Sequence, residues 1–527
     1  MRPLDWTILG LYVAAILAMG FLIGRRQRNQ SEYYVAGETM PWWQVGLSLV
    51  ANQVSAVSLI GAPAFIAVKS GGGLRWLQYE VAVPLAMIPI IVVLLPAYWK
   101  TRGFTIYGYL ESRFGPSARR AVSAIFLLSR SMSTGVALLA ASYVTAVCLD
   151  LGLSATIVSV GAVSVLYTIW GGIRADIYSD IAQLAVLWLS SILGAVLIVL
   201  QVPAEGWDPA GWQDRLAVFE FGTNGITDGA DFSFWPMLFG GLFLYLSYYG
   251  CDQTQAQRLL STAGPKESAK ALTLNGILRF PLVLTYCAVG VLMLPFLAAH
   301  PGFSSQVAAL PPDYLMPTFF LHHLPAGFLG LVVAGVFAAS MSSIDSAVNS
   351  LSASSWNDFL LPLRPALASV DDRLKVLFSR LLAAFWGVVS ILFALWLGGG
   401  HDTVIELVNK IGSAFYGPVA GIFILGILVS RAGLRGALVG LAAGVAANLY
   451  LWLAHSGQVS WMWWNLVGFT VCLAVGTAAG GGSPHPKGDR QAPVPVPWRM
   501  VWLLCFWFAA ILAAAVAVEY LGGSGLF

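Results

Sequence analysis

The chain has 527 residues, of which 58% are hydrophobic and only 10% are charged, with a net charge of +3. Soluble proteins of this length carry about 25% charged residues, so the composition excludes a water-soluble globular protein. The sequence also lacks the motifs GxxxxGK[ST], HExxH and GxSxG, which excludes a nucleotide-driven pump with that motif and the common hydrolase sites.

Apolar runs of about 20 residues recur from one end of the chain to the other, and this is the length that crosses a bilayer as a helix. We predict an all-α polytopic membrane protein with about 14 transmembrane helices and no separate soluble domain. The predicted spans are residues 5–24, 44–67, 75–98, 119–148, 154–170, 178–201, 234–255, 272–298, 326–353, 377–397, 403–428, 434–454, 460–480 and 498–521.

The placement of basic residues predicts the orientation. Arg25, Arg26 and Arg28 follow the first span, whereas a signal peptide carries its positive charge before the apolar run, so this span is predicted to be retained with its N-terminus outside. Alternation along the spans then puts most basic loop residues, Arg258 included, on the cytoplasmic side. Because basic residues concentrate inside, we predict a multi-pass protein of the plasma (inner) membrane with both termini outside.

Two spans are interrupted by polar residues and glycine. The second contains Asn52 and Gln53 before Gly61 and Pro63, and the seventh contains Gly240-Gly241 before Asp252-Gln253. Such breaks at corresponding places in two halves indicate a transporter binding site. Each broken span begins a set of five helices, at 44–201 and 234–428, and an odd number of helices gives the two sets opposite orientations.

The chain is therefore predicted to be one membrane domain, 1–527, built on a five-plus-five inverted repeat. One extra helix at 5–24 precedes the repeats, and three peripheral helices at 434–521 follow them.

The ninth span becomes rich in hydroxyl side chains. At 100° per residue one face of this helix carries Ala339, Ser342, Ser343, Ser346, Asn349 and Ser350, with Asp345 at its edge. Small hard cations prefer oxygen ligands, and a carboxylate at membrane depth indicates function. The alternative is that small residues merely allow two helices to pack closely. Three basic residues also lie within spans and need partners or water: Arg130, Arg279 and Lys410.

Several short motifs are spaced along nearly the whole chain: Ser55-Ala56, Ile60-Gly61, Gly171-Gly172, Ser179-Asp180, Gln183, Gly250 to Gln253, Gln257-Arg258, Ala338 to Ser350, Asn409 to Gly412 and Gly417-Pro418. With these motifs in this order and at this spacing, the sequence resembles the sodium/solute symporter family, relatives of the sodium–glucose, sodium–sialic acid and sodium–proline carriers. The resemblance implies a LeuT-type fold that couples sodium entry to solute uptake.

The resemblance implies two cation sites for Na⁺. The ligands of the first would be Ala51, Val54, Ala339, Ser342 and Ser343. Some members of the family bind a second sodium, for which the matching residues are Asp180, Ser342, Asp345 and Ser346. For Asp180 the alternative is an interfacial cap near Arg174.

The resemblance also implies solute contacts at Ser55, Ser58, Gln78, Glu80, Arg130, Tyr245 and Tyr248. The first broken span departs from the pattern of the sugar carriers and is closer to that of the sialic acid carriers, in which an Arg holds the carboxylate. Arg130 fits this role because a guanidinium binds a carboxylate through two hydrogen bonds. The alternative is that Arg130 forms a structural pair with Glu80 or extends its charged end to the membrane interface.

We expect a sodium-coupled symporter, not an enzyme, that imports a small polar organic solute by alternating access. A carboxylate such as sialic acid or a monocarboxylate is favoured. The alternatives are a sodium/sugar or inositol symporter, a proton-coupled carrier and a sodium-gated solute sensor. The expected partners are the solute, sodium ions and the lipid bilayer, with no nucleic acid and no required protein partner.

Overall fold

The computed structural model describes residues 1–25, 27–53, 56–101, 103–207, 212–398, 404–480 and 495–523. Within these residues the chain is helical, and β-type pairing is limited to two isolated bridges, Met40 with Thr262 and Ile226 with Val459. The predicted all-α fold class is therefore confirmed.

Helices in the first half of the chain run from the N-terminus to the loop after residue 201. Helices α1 to α11 are Pro3–Gly24, Gln30–Val35, Trp42–Gln53, Ala56–Ala67, Leu77–Glu80, Ala82–Pro89, Leu95–Thr101, Tyr107–Phe114, Pro116–Leu149, Leu153–Gln201 and Gln213–Leu216. Short 3₁₀ turns cover Ala36–Glu38, Leu74–Trp76 and Ala204–Gly206, and a π turn covers Ile90–Leu94.

The second half continues in the same way. Helices α12 to α23 are Gly241–Cys251, Gln253–Leu260, Pro265–Ala299, Pro301–Ala308, Leu315–His323, Phe328–Ser354, Leu361–Leu363, Asp372–Leu397, Val404–Leu428, Leu434–His455, Trp461–Ala478 and Trp498–Gly523. The π turns Pro236–Gly240 and Ser355–Leu360 and the 3₁₀ turns Pro312–Tyr314 and Pro365–Ser369 complete the list.

In the described part of the chain, 11 helical segments are long and apolar enough to cross a membrane, and α3 with α4 forms a twelfth span bent by 50°. Helix α10 has 49 residues. At 1.5 Å per residue it is about 74 Å long, more than twice the ~30 Å thickness of a hydrocarbon core, so its break at Gly172 divides it into two spans. Helices α12 and α13 are separated by a break at Asp252, whose backbone is extended. The described residues thus contain at least 11 spans, against a predicted count of about 14.

The break in α10 depends on a glycine. Gly172 has φ 59° and ψ −177°, a conformation that side chains rarely adopt. A Cβ atom at this position would also overlap the side chain of Gln27, which donates a hydrogen bond to the carbonyl of Gly171. The turn between the two spans therefore requires glycine.

Helix α17, which carries the hydroxyl stripe, lies at the centre of the bundle. It packs against α1, α9, α10 and α19 and reaches α3, α4 and α13. Helices α21 and α22 pack on each other and on α20, and α23 lies against α6 and α14. Because α17 is enclosed by protein, its polar side chains face other helices rather than lipid. The boundaries of the two predicted repeats stay a prediction.

Candidate functional site

A cavity of about 110 Å³ lies where the broken helices α3–α4 and α12 meet α9, α14, α17 and α20. Its lining is mainly polar and aromatic. The residues concerned include Asn52, Gln53, Ser58, Trp76, Tyr79, Glu80, Arg130, Ser133, Thr134, Tyr248, Arg279, Tyr286, Ser343, Asn409 and Tyr416.

Of the predicted solute contacts, Ser58, Glu80, Arg130 and Tyr248 line this cavity. Two others lie beside it. The amide of Gln78 donates to the carbonyl groups of Arg75 and Phe232, both at 3.1 Å, so it fastens the loop that precedes α12. The ring of Tyr245 packs behind the cavity at 4.7 Å from the ring of Tyr79. Ser55 lies outside the described residues.

The guanidinium of Arg130 is buried at the cavity wall and incompletely paired. Its Nη2 donates to Asn52 at 3.4 Å, and its Nη1 lies 3.8 Å from a carboxylate oxygen of Asp252. It also lies 5.9 Å from the centre of the Tyr248 ring, and its Nε has no hydrogen-bond partner. Arg130 can therefore still bind an anion that enters the cavity.

Glu80, by contrast, is fully engaged. Nε and Nη2 of Arg279 donate to its two carboxylate oxygens at 3.0 Å each, in a bidentate pair that is buried on both sides. The alternative pairing of Arg130 with Glu80 is wrong, because Arg279 takes that place. The pair neutralises the carboxylate that would otherwise repel an anionic solute.

Asn52 joins the two broken helices at the cavity. Its side-chain oxygen accepts hydrogen bonds from the Tyr248 hydroxyl at 3.3 Å and from Gln255 at 3.0 Å, in addition to the one from Arg130. A single amide of α3 thus contacts α9, α12 and α13. A ligand that shifts Arg130 will change these contacts between the two breaks.

The predicted first sodium site lies beside the cavity. Ser343 is buried, lines the cavity and has a hydroxyl with no hydrogen-bond partner. The Ser342 hydroxyl donates to Asp180. Ala51 is in the last turn of α3, where carbonyl groups lack partners within the helix. Val54 lies outside the described residues, and the same holds for the side chain of Ala339, which is on α17.

The residues of the predicted second sodium site also come together, around a guanidinium. Asp180 accepts hydrogen bonds from Ser342, Ser48 and Arg258, the last at 2.9 Å. The Ser346 hydroxyl, which accepts from Arg258, donates to Asp176 at 2.8 Å. Arg258, which the sequence analysis counted among the basic loop residues, lies instead on α13 with its side chain completely buried.

Arg258 is held by four groups besides Ser346. Its Nη2 lies 2.8 Å from Asp176 and 2.9 Å from Asp180, its Nε donates to Ser48 at 2.7 Å, and its Nη1 donates to the carbonyl of Thr254 at 3.0 Å. This cluster connects α3, α10, α13 and α17. It joins the helices of both breaks to the hydroxyl stripe through a single side chain.

Charged residues lie near the start of α20, whose next turns line the cavity. Lys69 pairs with Glu406 at 3.1 Å, and Asp313 accepts a hydrogen bond from the backbone of Val404 at 3.0 Å, at the start of α20. Burial raises the pKa of Asp313 to about 6, so this carboxyl becomes neutral in mildly acidic solution. Residues 405, 408 and 409 on the next turns of α20 line the cavity directly below.

Sequence reasoning missed three residues of the site, and each carried a signal. Asp176 precedes Asp180 by one helical turn, so the two share a face of α10. Arg258 lies in the polar run after the second break and was counted as a loop charge. Arg279 was recognised as a basic residue within a span, but its partner was not assigned.

A model of the sodium:solute symporter family matches residues 33–444, well over half of the chain. The chain belongs to this family. It is therefore a membrane transporter that couples a solute to sodium and not an enzyme, and the resemblance found in the sequence is confirmed.

Two relatives and one solved structure agree with this assignment. The chain is 27% identical to the sodium/sialic acid symporter NanT of Aliivibrio fischeri over 486 residues, covering 90% of this chain and 92% of NanT. It is 26% identical to the sodium-coupled monocarboxylate transporter 2 of Danio rerio, covering 98% of this chain and 82% of the relative.

The solved structure is a sodium-coupled sialic acid symporter in a substrate-bound, outward-open state. It superimposes with a TM-score of 0.79 at 24% identity, covering 92% of this chain and 99% of that chain. The LeuT-type fold predicted for the symporter is thereby confirmed.

Proposed function

We propose that this symporter imports a small organic carboxylate together with sodium, by alternating access. The observation that carries the proposal is the incomplete pairing of Arg130 in the cavity lining. Arg279 is already paired with Glu80, whereas Arg130 lies 3.8 Å from Asp252 and its Nε has no hydrogen-bond partner. The Arg130 guanidinium suits a monoanion bound through a bidentate carboxylate.

The size of the cavity favours a short monocarboxylate over a nine-carbon sugar acid. Its volume of about 110 Å³ is below the ~150 Å³ of an apolar cavity that takes up benzene. Relatives are named for both sialic acid and monocarboxylates.

In this proposal one sodium binds between the last turn of α3 and Ser342 and Ser343 of α17. The free hydroxyl of Ser343 supports the site, since it faces the cavity and has no partner in the protein. A second sodium binds near Asp180, Ser342, Asp345 and Ser346, and the solved sialic acid symporter is described as having a novel sodium site. Bound sodium holds α3 against α17 and so completes the solute site.

Each ligand then raises the affinity of the other by the same factor. One sodium moving through about 100 mV supplies roughly 2.3 kcal/mol, and a tenfold gradient adds about 1.4 kcal/mol. We place the protein in the plasma (inner) membrane with both termini outside, supported by the distribution of basic residues.

The test is solute binding to purified protein with and without sodium, measured by calorimetry across short monocarboxylates, sialic acids, amino acids and sugars. We expect a monocarboxylate to bind only with sodium and Arg130→Ala to abolish that binding. Ser343→Ala should weaken sodium activation before it lowers the maximal uptake rate. A neutral sugar that binds equally well to Arg130→Ala, or uptake driven by pH without sodium, would contradict the proposal.

A further inference from the structure

A groove of about 640 Å³ lies where the end of α1 meets the break in α10. It shares no lining residue with the solute cavity. Its lining in the described part of the chain consists of Leu22, Ile23, Arg25, Gln27, Glu32, Arg174 and Tyr178. The groove therefore combines apolar, aromatic and charged side chains at a place that neither the solute nor sodium uses in the proposed function.

The position of the groove corresponds to the edge of the membrane. Helix α1 is long and apolar enough to cross the membrane, and Arg25 follows it directly. In α10 the break at Gly172 separates two spans, and Arg174 comes two residues later. Beside the break the ring of Trp170 packs against that of Phe21, with 6.0 Å between their centres, and both rings are exposed. Since tryptophan is enriched at the membrane–water interface, the groove opens where headgroups meet hydrocarbon.

The two arginines of the groove form no ion pair among the residues described. Arg25 is exposed, and its guanidinium lies 5.4 Å from the centre of the Phe21 ring. Nη2 of Arg174 donates to the carbonyl of Ala36 at 3.0 Å and to the hydroxyl of Thr39 at 2.9 Å. These bonds hold the Arg174 side chain in place through one of its three nitrogen atoms, so both guanidinium groups can bind an anion.

One carboxylate, that of Glu32, is present in the described lining. Its Oε2 accepts the backbone N–H of Arg28 at 2.6 Å, and it lies in the first turn of α2, where a negative charge stabilises a helix. A further guanidinium lies behind the groove, since Nη2 of Arg380 donates to the carbonyl of Gly24 at 3.4 Å. The charges around the groove, counted with Glu32, are therefore predominantly positive.

We infer that this groove binds an anionic phospholipid, with its phosphate between Arg25 and Arg174. Guanidinium groups match phosphate oxygens in both charge and geometry. The acyl chains lie along Phe21, Leu22 and Trp170, whose side chains are 45%, 61% and 39% exposed. A soluble anion would leave this apolar surface uncovered, whereas a lipid uses both parts of the groove. In the proposed orientation the groove faces the cytoplasm, the side on which membranes carry anionic lipid.

A bound lipid should also stabilise the protein, because the groove joins segments that are distant in the sequence. Gln27, in the lining, donates to the carbonyl of Gly171 at the break of α10. Arg174 connects the same break to Ala36 and Thr39, which precede α3. A ligand that binds the folded form and not the unfolded chain raises the free energy of unfolding.

The experiment measures lipid binding to the purified full-length chain in dodecyl maltoside by native mass spectrometry, without sodium or solute. Dioctanoyl phosphatidylglycerol is the probe, and we expect it to bind at least ~10-fold more tightly than dioctanoyl phosphatidylcholine. Arg25→Gln should weaken its binding about fivefold, the effect of one basic residue at a lipid surface. Arg435→Gln is the matched control and should bind like wild type, because Arg435 is an exposed arginine at the start of the span α21 and outside the groove.

Thermal unfolding, followed by tryptophan fluorescence, gives the second measurement. Phosphatidylglycerol should raise the unfolding temperature of wild type and of Arg435→Gln more than that of Arg25→Gln. Equal binding of the two lipids, or wild-type binding by Arg25→Gln, would overturn the inference. Inorganic phosphate that stabilises wild type as much as the lipid does, and does so through Arg25, would show a site for a soluble anion instead. Each of these results leaves the proposed function untouched, because no sodium or solute is present.

Discussion

Two buried clusters of arginine and acid contact α17, and they differ in which charged group is incompletely paired. In the solute cavity Glu80 is paired with Arg279, whereas Arg130 lies 3.8 Å from Asp252 and keeps an unpartnered Nε. The cluster around Arg258 has one guanidinium against Asp176, Asp180 and Asp345. Since unpaired charge is costly inside a membrane protein, incompletely paired groups favour a ligand of the opposite charge. In the proposed function, Arg130 therefore favours an anion in the cavity and the three carboxylates favour a cation in the cluster.

The two clusters are also connected to each other through α3 and α17. Ser343 lines the cavity, and its neighbour Ser342 bonds to Asp180 in the cluster. Asn52 and Ser48, one helical turn apart on α3, contact Arg130 and Arg258 respectively. A ligand that binds in the cavity therefore acts on helices α3 and α17, which also form the cluster around Arg258, and the reverse is equally true. A symporter needs this kind of connection, in which each ligand favours the binding of the other.

Removal of Arg258 should have the largest effect. Arg258→Gln leaves Asp176 and Asp180 without their counter-charge, and breaking a buried ion pair costs about 3–5 kcal/mol. Unfolding followed by intrinsic tryptophan fluorescence in nanodiscs should show this loss in sodium-free buffer. High sodium should recover part of the stability, because a cation can replace the lost charge. A variant as stable as wild type without sodium would show that the cluster is not short of positive charge.

Arg113→Gln is the matched control. The Arg113 guanidinium donates to the backbone carbonyls of Gly426, Val429 and Ser430, and no carboxylate is among these partners. Its loss should cost less than that of Arg258, and sodium should not restore it.

The fold was predictable because its signals are local. Span length, the glycine and polar interruptions and the basic loops each act within about 20 residues, and together they predicted the number of spans. The hydroxyl stripe of α17 was visible for the same reason. Pairing was not predictable, since Arg279 meets Glu80 across 199 positions and Arg258 meets Asp180 across 78. The position of Arg258 was misjudged because a basic residue near a span end is normally exposed.

Pairing between residues far apart in the sequence also limited the prediction of the site. Residue type and spacing placed Glu80, Arg130 and Tyr248 at one cavity, but they did not show that Glu80 is neutralised and Arg130 is not. That difference depends on which helix supplies the second arginine, and it decides which charge the solute should carry.

Glu80→Gln tests the charge pairing in the solute cavity. It should lower the free energy of unfolding by less than Arg258→Gln does. A glutamine removes the charge but keeps one acceptor for Arg279, so we expect the lower end of the about 3–5 kcal/mol that breaking a buried ion pair costs. We expect a loss of stability in that range with sodium binding unchanged, because the cluster around Arg258 is intact. The freed Arg279 should also bind anions more tightly, which calorimetry with inorganic phosphate and a short monocarboxylate can detect. Sodium affinity that falls as far as in Arg258→Gln would show that the two regions are not separate.

The smallest effect is expected at Asp5, which connects α1 to the start of α17. One oxygen of Asp5 accepts the backbone N–H groups of Gly327 and Gly330 at 2.7 and 2.9 Å, so α1 caps the helix that carries Ser343 and Asp345. Asp5→Ala should cost about 1 kcal/mol, as for other lost helix caps. Asp371→Ala, which removes the cap of α19 at Arg373, should cost a similar amount and leave sodium binding unchanged.

Asp5→Ala should additionally weaken sodium binding, because the helix that Asp5 caps carries Ser342 and Ser343 of the proposed first sodium site. A charge at a helix terminus contributes roughly 0.3–1 kcal/mol, so we expect a loss of less than about fivefold in affinity, measured with ²²Na⁺. Equal sodium affinity in Asp5→Ala and Asp371→Ala would show that the cap stabilises α17 without positioning the hydroxyl groups that bind the ion.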